Sequence, residues 1–171
     1  GRDAADPFLA YEGRGVFVLT RTSNPSAATF QEQMREGRPL YREVASEALS
    51  WSQRVGLVVA GNNPDVLREL RSAHPDSWFL APGIGAQGGE AEPAMLAGAR
   101  SDALGILLVA ARAVANADDP KAAAERLRSA SWSGVERARR EGGARKATDA
   151  VLEGILESES FQLGSFTLKS G

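Results

Sequence analysis

Four short apolar runs, each followed by a stretch with helical spacing, constrain this chain more than any other feature. They lie at residues 15–20 (GVFVLT), 55–60 (VGLVVA), 77–81 (SWFLA) and 105–110 (GILLVA). The runs are continuous rather than alternating, as strands buried on both faces should be. Between them, apolar residues recur at helical intervals: Tyr41, Val44, Ala45, Ala48 and Leu49 in 40–52, Val66, Leu67 and Leu70 in 64–72, and Ala94, Met95 and Ala97 in 92–100. After the fourth run, Asp118, Asp119 and Pro120 supply an acidic cap and a first-turn proline for a helix over 122–140. Four strand-then-helix units predict an α/β protein with a parallel sheet and right-handed crossovers. Two architectures fit this order: an open doubly wound sheet of flavodoxin-like kind, or part of a (β/α)8 barrel. A whole barrel takes about 250 residues, so four units in this chain of 171 residues amount to half of one.

Past residue 140 the pattern changes. Gly142 and Gly143 are expected to break the helix, residues 144–158 to start a separate amphipathic stretch, and 161–168 to alternate in the manner of a strand. The expected organisation is a first domain over 1–141, a linker over 142–146 and the start of a second domain over 147–171. The chain begins with Gly1 and ends at Gly171 without the look of natural termini, so a fragment of a longer polypeptide is expected.

Composition narrows the chemistry. With 20 Lys plus Arg against 22 Asp plus Glu, the formal charge is −2. The chain therefore lacks the basic excess of a nucleic-acid binder, and any phosphate recognition must be local. There is no cysteine and one histidine, which excludes disulfides, thiolate catalysis and sulfur-ligated zinc and leaves little for imidazole chemistry. No metal site is expected. The longest apolar run is about half a membrane span, and residues 1–6 carry no apolar leader. A soluble, cytoplasmic chain without a membrane partner is the expectation.

In parallel α/β proteins, working residues collect in the loops after the carboxyl ends of strands. Here those loops are 21–26, 61–64, 82–89 and 111–113. The third has four glycines in seven residues, among them Gly85 and Gly88, and reads as a phosphate cradle built from backbone N–H groups, with Gln87 as its polar side chain. It is neither a Gly-x-Gly-x-x-Gly fingerprint nor a Walker loop. Arg112 leaves the last strand at its carboxyl end, where a guanidinium fork suits a phosphate dianion. Ser23 and Asn24 offer short polar groups for capping the next helix or reading a heterocycle edge. His74 lies before the third strand, away from these loops, and reads as structural or exposed. Arg137, Arg139, Arg140, Arg145 and Lys146 read as a solvated helix end.

The residues at 16–26 (VFVLTRTSNPS), 56–59 (GLVV) and especially 80–89 (LAPGIGAQGG) resemble the orotidine 5′-phosphate decarboxylase family in its long bacterial-type subgroup, over about residues 1–140. The resemblance implies a (β/α)8 barrel of which the four runs are strands five to eight. It implies that Ser23 bonds the pyrimidine edge, that Gln87 reaches toward the phosphate, and that Arg112 grips it. Ala113 stands where the family commonly has Gly or Ser, and Asn62 and Asn63 replace the usual Ala-Thr. The family's Asp-Lys-x-x-Asp motif does not occur, and the lysines are Lys121, Lys146 and Lys169. No catalytic residue is therefore expected in this chain, which alone should be inactive.

The tail, with Ile155-Leu156-Glu157 and 161–171 (FQLGSFTLKSG), resembles the opening of orotate phosphoribosyltransferase, where Lys169 matches a residue that contacts phosphoribosyl diphosphate. Decarboxylase first and phosphoribosyltransferase second is similar to the fused UMP synthases of some protists and bacteria. The resemblance thus implies a cofactor-free carboxy-lyase converting orotidine 5′-phosphate to UMP and carbon dioxide, a homodimer when full-length. The other reading is a non-catalytic phosphate-binding half-barrel or assembly module.

Overall fold

The computed structural model describes residues 1–85 and 87–157, with side chains described through residue 141. In chain order the elements are α1 (Arg2–Leu9), β1 (Val16–Arg21), a 3-10 turn (Pro25–Ala27), α2 (Ala28–Gln31), β2 (Met34–Arg35), β3 (Arg38–Pro39) and α3 (Leu40–Trp51). There follow β4 (Val55–Val59), α4 (Pro64–Ala73), β5 (Phe79–Pro82), α5 (Ala91–Gly98), β6 (Ile106–Val109), α6 (Ala111–Ala115) and α7 (Pro120–Glu157). Contacts divide the chain into two compact units, Gly1–Arg139 and Arg140–Gly171.

The four expected strands are β1, β4, β5 and β6. They form one parallel sheet in the order β1-β4-β5-β6. That order is sequential, and right-handed crossovers in one direction put every crossover on the same side of a sheet. A doubly wound sheet instead reverses direction at a switch point, so the sequential order sets that alternative aside. A small antiparallel pair, β2 with β3, sits between α2 and α3.

One face of the sheet is packed and the other is open. On the packed face, Leu57, Val59, Phe79 and Ala81 are fully buried, with Val16, Val18, Ile106 and Leu108 beside them. Burying side chains of this size stabilises the fold by about 1.5–3 kcal/mol each. Their cover comes from Tyr41, Ala45 and Ala48 of α3, Val66, Leu67 and Leu70 of α4, and Ala94, Met95 and Ala97 of α5. Most of these helix residues are those the helical spacing singled out. On the other face Phe17, Leu19, Leu107 and Val109 are exposed by 41%, 66%, 44% and 36%. Burial on both faces, expected from continuous apolar runs, therefore holds for β4 alone, whose residues are buried throughout. The outer strands β1 and β6 bury alternate residues.

Helix starts follow capping chemistry. Asn63 Oδ1 accepts from the Val66 N–H at 3.2 Å with Pro64 next in line, and Asp119 Oδ1 accepts from the Ala122 N–H at 3.0 Å just before Pro120 and Lys121. The helix break expected at Gly142 and Gly143 is absent, since α7 runs through both. Each interior glycine costs about 1 kcal/mol relative to alanine, and the flanking Ala, Arg, Glu and Lys are strong helix formers that outweigh two such penalties. The backbone of the expected linker is helical. The expected strand over 161–168 lies outside the described residues.

The amino-terminal edge of the sheet is held by Arg71, which sequence reading did not single out. Its guanidinium donates to the carbonyls of Gly98 (2.8 Å), His74 (3.3 Å), Pro75 (3.0 Å), Ser77 (2.7 Å) and Gly105 (2.9 Å), and lies 4.0 Å over the Phe79 ring. Burial, followed by the nearby Arg100 charge, pulls its pKa down to about 10, so it remains charged at neutral pH. His74, half-buried at the end of α4, has its pKa lowered by the same desolvation. Arg71→Ala should lower the unfolding free energy by about 3 kcal/mol, and Arg71→Lys, with fewer and differently aimed donors, by about 2 kcal/mol. Urea unfolding of the two variants beside the parent chain checks both values.

Candidate phosphate and base site

The carboxyl ends of the strands deliver three of the four loops to one place. Ser23, two residues past β1, donates its hydroxyl to Gln87 Oε1 at 2.8 Å across 64 positions of sequence. Asn62, past β4, donates through Nδ2 to the carbonyls of both Ser23 and Gln87, each at 3.2 Å. The main chain adds Gly61 N–H to Pro82 O at 2.7 Å and Ala60 N–H to Arg21 O at 2.7 Å. The loops after β1, β4 and β5 are thus tied to each other at the rim.

The glycine loop is closed on itself by main-chain hydrogen bonds. Three of its N–H groups are directed inward: Gly85 N–H to Gly89 O (2.7 Å), Gly88 N–H to Gly85 O (2.9 Å) and Gly89 N–H to Gly83 O (3.1 Å). The donors of Gly85 and Gly88, expected to face a ligand, are held within the loop. Glycine is required here for conformation and for space. Gly83 has φ +98°, and a Cβ there would stand 2.8 Å from the Ser23 Cβ. At Gly85, φ is +76° and a Cβ would meet that of Ala113 at 2.5 Å. The loops after β5 and β6 therefore touch, and small residues on both sides let them.

That contact brings Arg112, on the first turn of α6, next to the loop. Its side chain is exposed and makes no hydrogen bond or ion pair among the described residues. A cation free of carboxylates is what an incoming dianion needs. By contrast, Arg21 at the end of β1 is engaged by Glu32 at 2.6 Å. The capping role open to Ser23 and Asn24 is not taken up: Ser23 turns to Gln87, and Asn24 bonds Thr22 and Ser26 through its side chain. Among the expected basic cluster, Arg137 stands 3.8 Å from Glu92 and Arg139 lies over Trp132. Lys169 lies outside the described residues.

A groove of about 710 Å³ opens behind the loop, lined by Glu90, Leu96, Ala113, Arg126, Leu127 and Arg137 among others. Ser23, Gln87 and Arg112 do not line it. We place the site at the rim, where the polar groups converge. Sequence reading missed Asn62 as a member of that rim; its one signal was the replacement of Ala-Thr by two asparagines.

The geometry separates two glycines of similar φ. Gly83→Ala should destabilise the chain by about 2–3 kcal/mol, from the left-handed backbone plus the clash with Ser23. Gly88→Ala, with φ +82° but nothing within 4 Å, should cost only about 1 kcal/mol. Thermal or urea unfolding of the pair tests the order.

Comparison with known proteins identifies the family. Residues 2–127 match the sequence profile of the orotidine 5′-phosphate decarboxylase / HUMPS family. Orotidine 5′-phosphate decarboxylase of Thermomicrobium roseum is 42% identical over 153 residues, 82% of this chain and 53% of that protein. That of Roseiflexus castenholzii is 43% identical over 122 residues, 69% of this chain and 45% of that protein. Among solved structures, Leishmania donovani OMP decarboxylase superposes with TM-score 0.68 at 37% identity, over 77% of this chain and 54% of that one. Leishmania donovani UMP synthase superposes with TM-score 0.72 at 38% identity, over 100% of this chain and 37% of that one. The chain spans about half the length of the curated relatives it matches. By these matches it belongs to the orotidine 5′-phosphate decarboxylase / HUMPS family.

Proposed function

We propose that this chain is the phosphate- and pyrimidine-binding half of an orotidine 5′-phosphate decarboxylase barrel, its sheet strands being strands five to eight. The observation that carries the reading is the Ser23 to Gln87 hydrogen bond at 2.8 Å, beside a loop that touches Ala113 and so neighbours the unpaired Arg112. In this reading Ser23 bonds the pyrimidine edge and Gln87 extends toward the phosphate. Arg112 takes two phosphate oxygens through its fork. Gly85 and Gly88 shape the floor on which the phosphate lies.

Binding of this kind acts on the reaction from a distance. Interaction energy gained at phosphate and base is what an enzyme can apply to distortion and orientation at the reacting carbon. Proton delivery to that carbon belongs to the Asp-Lys-x-x-Asp motif, which this sequence lacks. We therefore assign binding to this chain and the bond-breaking step to residues outside it. The complete enzyme would act as a homodimer on orotidine 5′-phosphate, releasing carbon dioxide and UMP without a cofactor. The tail from residue 147 would open a phosphoribosyltransferase domain in which Lys169 meets phosphoribosyl diphosphate. Support for that fusion is the alignment of the whole chain with a UMP synthase.

Calorimetric titration with UMP tests the assignment. The parent chain should bind UMP, Arg112→Ala should weaken binding by at least about tenfold, and Arg14→Ala, an exposed position just before β1 at the amino-terminal end of the sheet, should leave it unchanged. Equal binding by the Arg112 variant would remove the phosphate assignment. Release of carbon dioxide from orotidine 5′-phosphate by the purified chain would overturn the division of labour.

A further inference from the structure

Asn62 occupies a position that the Ser23 and Gln87 pairing does not explain. Its Nδ2 is 3.2 Å from Ser23 O and 3.2 Å from Gln87 O. Both acceptors are backbone carbonyls, which can only accept, so the NH2 end of the amide must face them. The two residues it holds by their main chains hold each other by their side chains. The result is a closed cycle of three residues drawn from three loops. Its backbone is enclosed as well, because a Cβ on Gly89 would come within 3.1 Å of the Asn62 nitrogen.

We infer that Asn62 is a positioning residue that fixes the spacing between the base subsite at Ser23 and the phosphate subsite at Gln87 and Arg112. This rests on the binding assignment above. A primary amide suits such a clasp because it offers two divergent N–H donors on a short stem, one for each carbonyl. Alanine or threonine in its place cannot span both. Aspartate has the same shape, but it donates no hydrogen and sets a negative charge against two carbonyl oxygens. With the cycle closed before ligand arrives, a nucleotide that uses both subsites binds without first ordering two loops. A ligand that uses the phosphate subsite alone gains nothing from the spacing.

That asymmetry separates a positioning role from a merely structural one. The test uses the full 171-residue chain with Asn62→Ala and Asn62→Asp, titrated with UMP and with inorganic phosphate while backbone amides are followed by NMR. We expect UMP binding to weaken about tenfold in both variants, the effect of about one net hydrogen bond, and phosphate binding to stay within about twofold. Amides of Ser23, Gly85, Gln87 and Gly88 should exchange faster, with those of β4 and β5 unchanged. Unaltered UMP binding, or UMP and phosphate weakened alike, would overturn the inference. So would loss of exchange protection throughout the sheet. Should the parent chain fail to bind UMP, the binding assignment falls, and Asn62 is then judged on exchange alone: faster exchange confined to the two loops sustains the clasp, and unchanged exchange removes it.

Discussion

Everything in the first unit depends on a parallel sheet whose strands follow one another in sequence order. Parallel pairing demands a crossover after each strand, and a single direction of travel puts those crossovers on one side. The packed face can then be continuous, from Val18 through Leu57 and Phe79 to Ile106. The same constraint points every strand's carboxyl end the same way. Loops far apart in sequence are delivered to one rim without any interaction of their own, and a hydroxyl at residue 23 finds an amide at residue 87.

The two rims are secured with the same chemistry and put to different use. At the amino-terminal rim, Arg71 and Arg54 donate to carbonyls: Arg71 joins the approaches to β5 and β6, and Arg54 ties the start of β4 to the end of α1. At the carboxyl rim the Asn62 amide donates to two carbonyls, beside the Ser23 to Gln87 bond and the main-chain bonds of Ala60 and Gly61. Arg112 stays outside both networks among the described residues.

Much of this was legible in the sequence, for physical reasons. β-Branched and aliphatic runs mark strands, periodic apolar residues mark the buried faces of α3, α4 and α5, and Asp119 before Pro120 marks the start of α7. The glycine loop and Arg112 stood out by composition and by position at a strand end, while what each does depends on neighbours remote in sequence. The β2 and β3 pair was not legible, since Met34, Arg35 and Arg38 are exposed and show no alternation. Arg71 was hidden because one arginine among 17 looks like any other until its carbonyl partners gather around it. Ser23 looked like a cap because local spacing was all that one sequence displays, and its partner is remote. At Gly142 and Gly143 local punctuation was overruled by the length of the helix on either side. The inward direction of the Gly85, Gly88 and Gly89 N–H groups follows from the loop's closure and not from its composition.

The carbonyl seam around Arg71 has a bearing on how the chain responds to its solvent. Exposed ion pairs such as Arg68 with Asp65 fade as salt screens the charge. Every hydrogen-bond acceptor of Arg71 is a backbone oxygen, which carries no net charge for dissolved ions to screen. The strand entrances are therefore stitched by a fastening with no carboxylate among its hydrogen-bond partners, and added salt weakens the surface ion pairs before it loosens the edge where β5 and β6 begin.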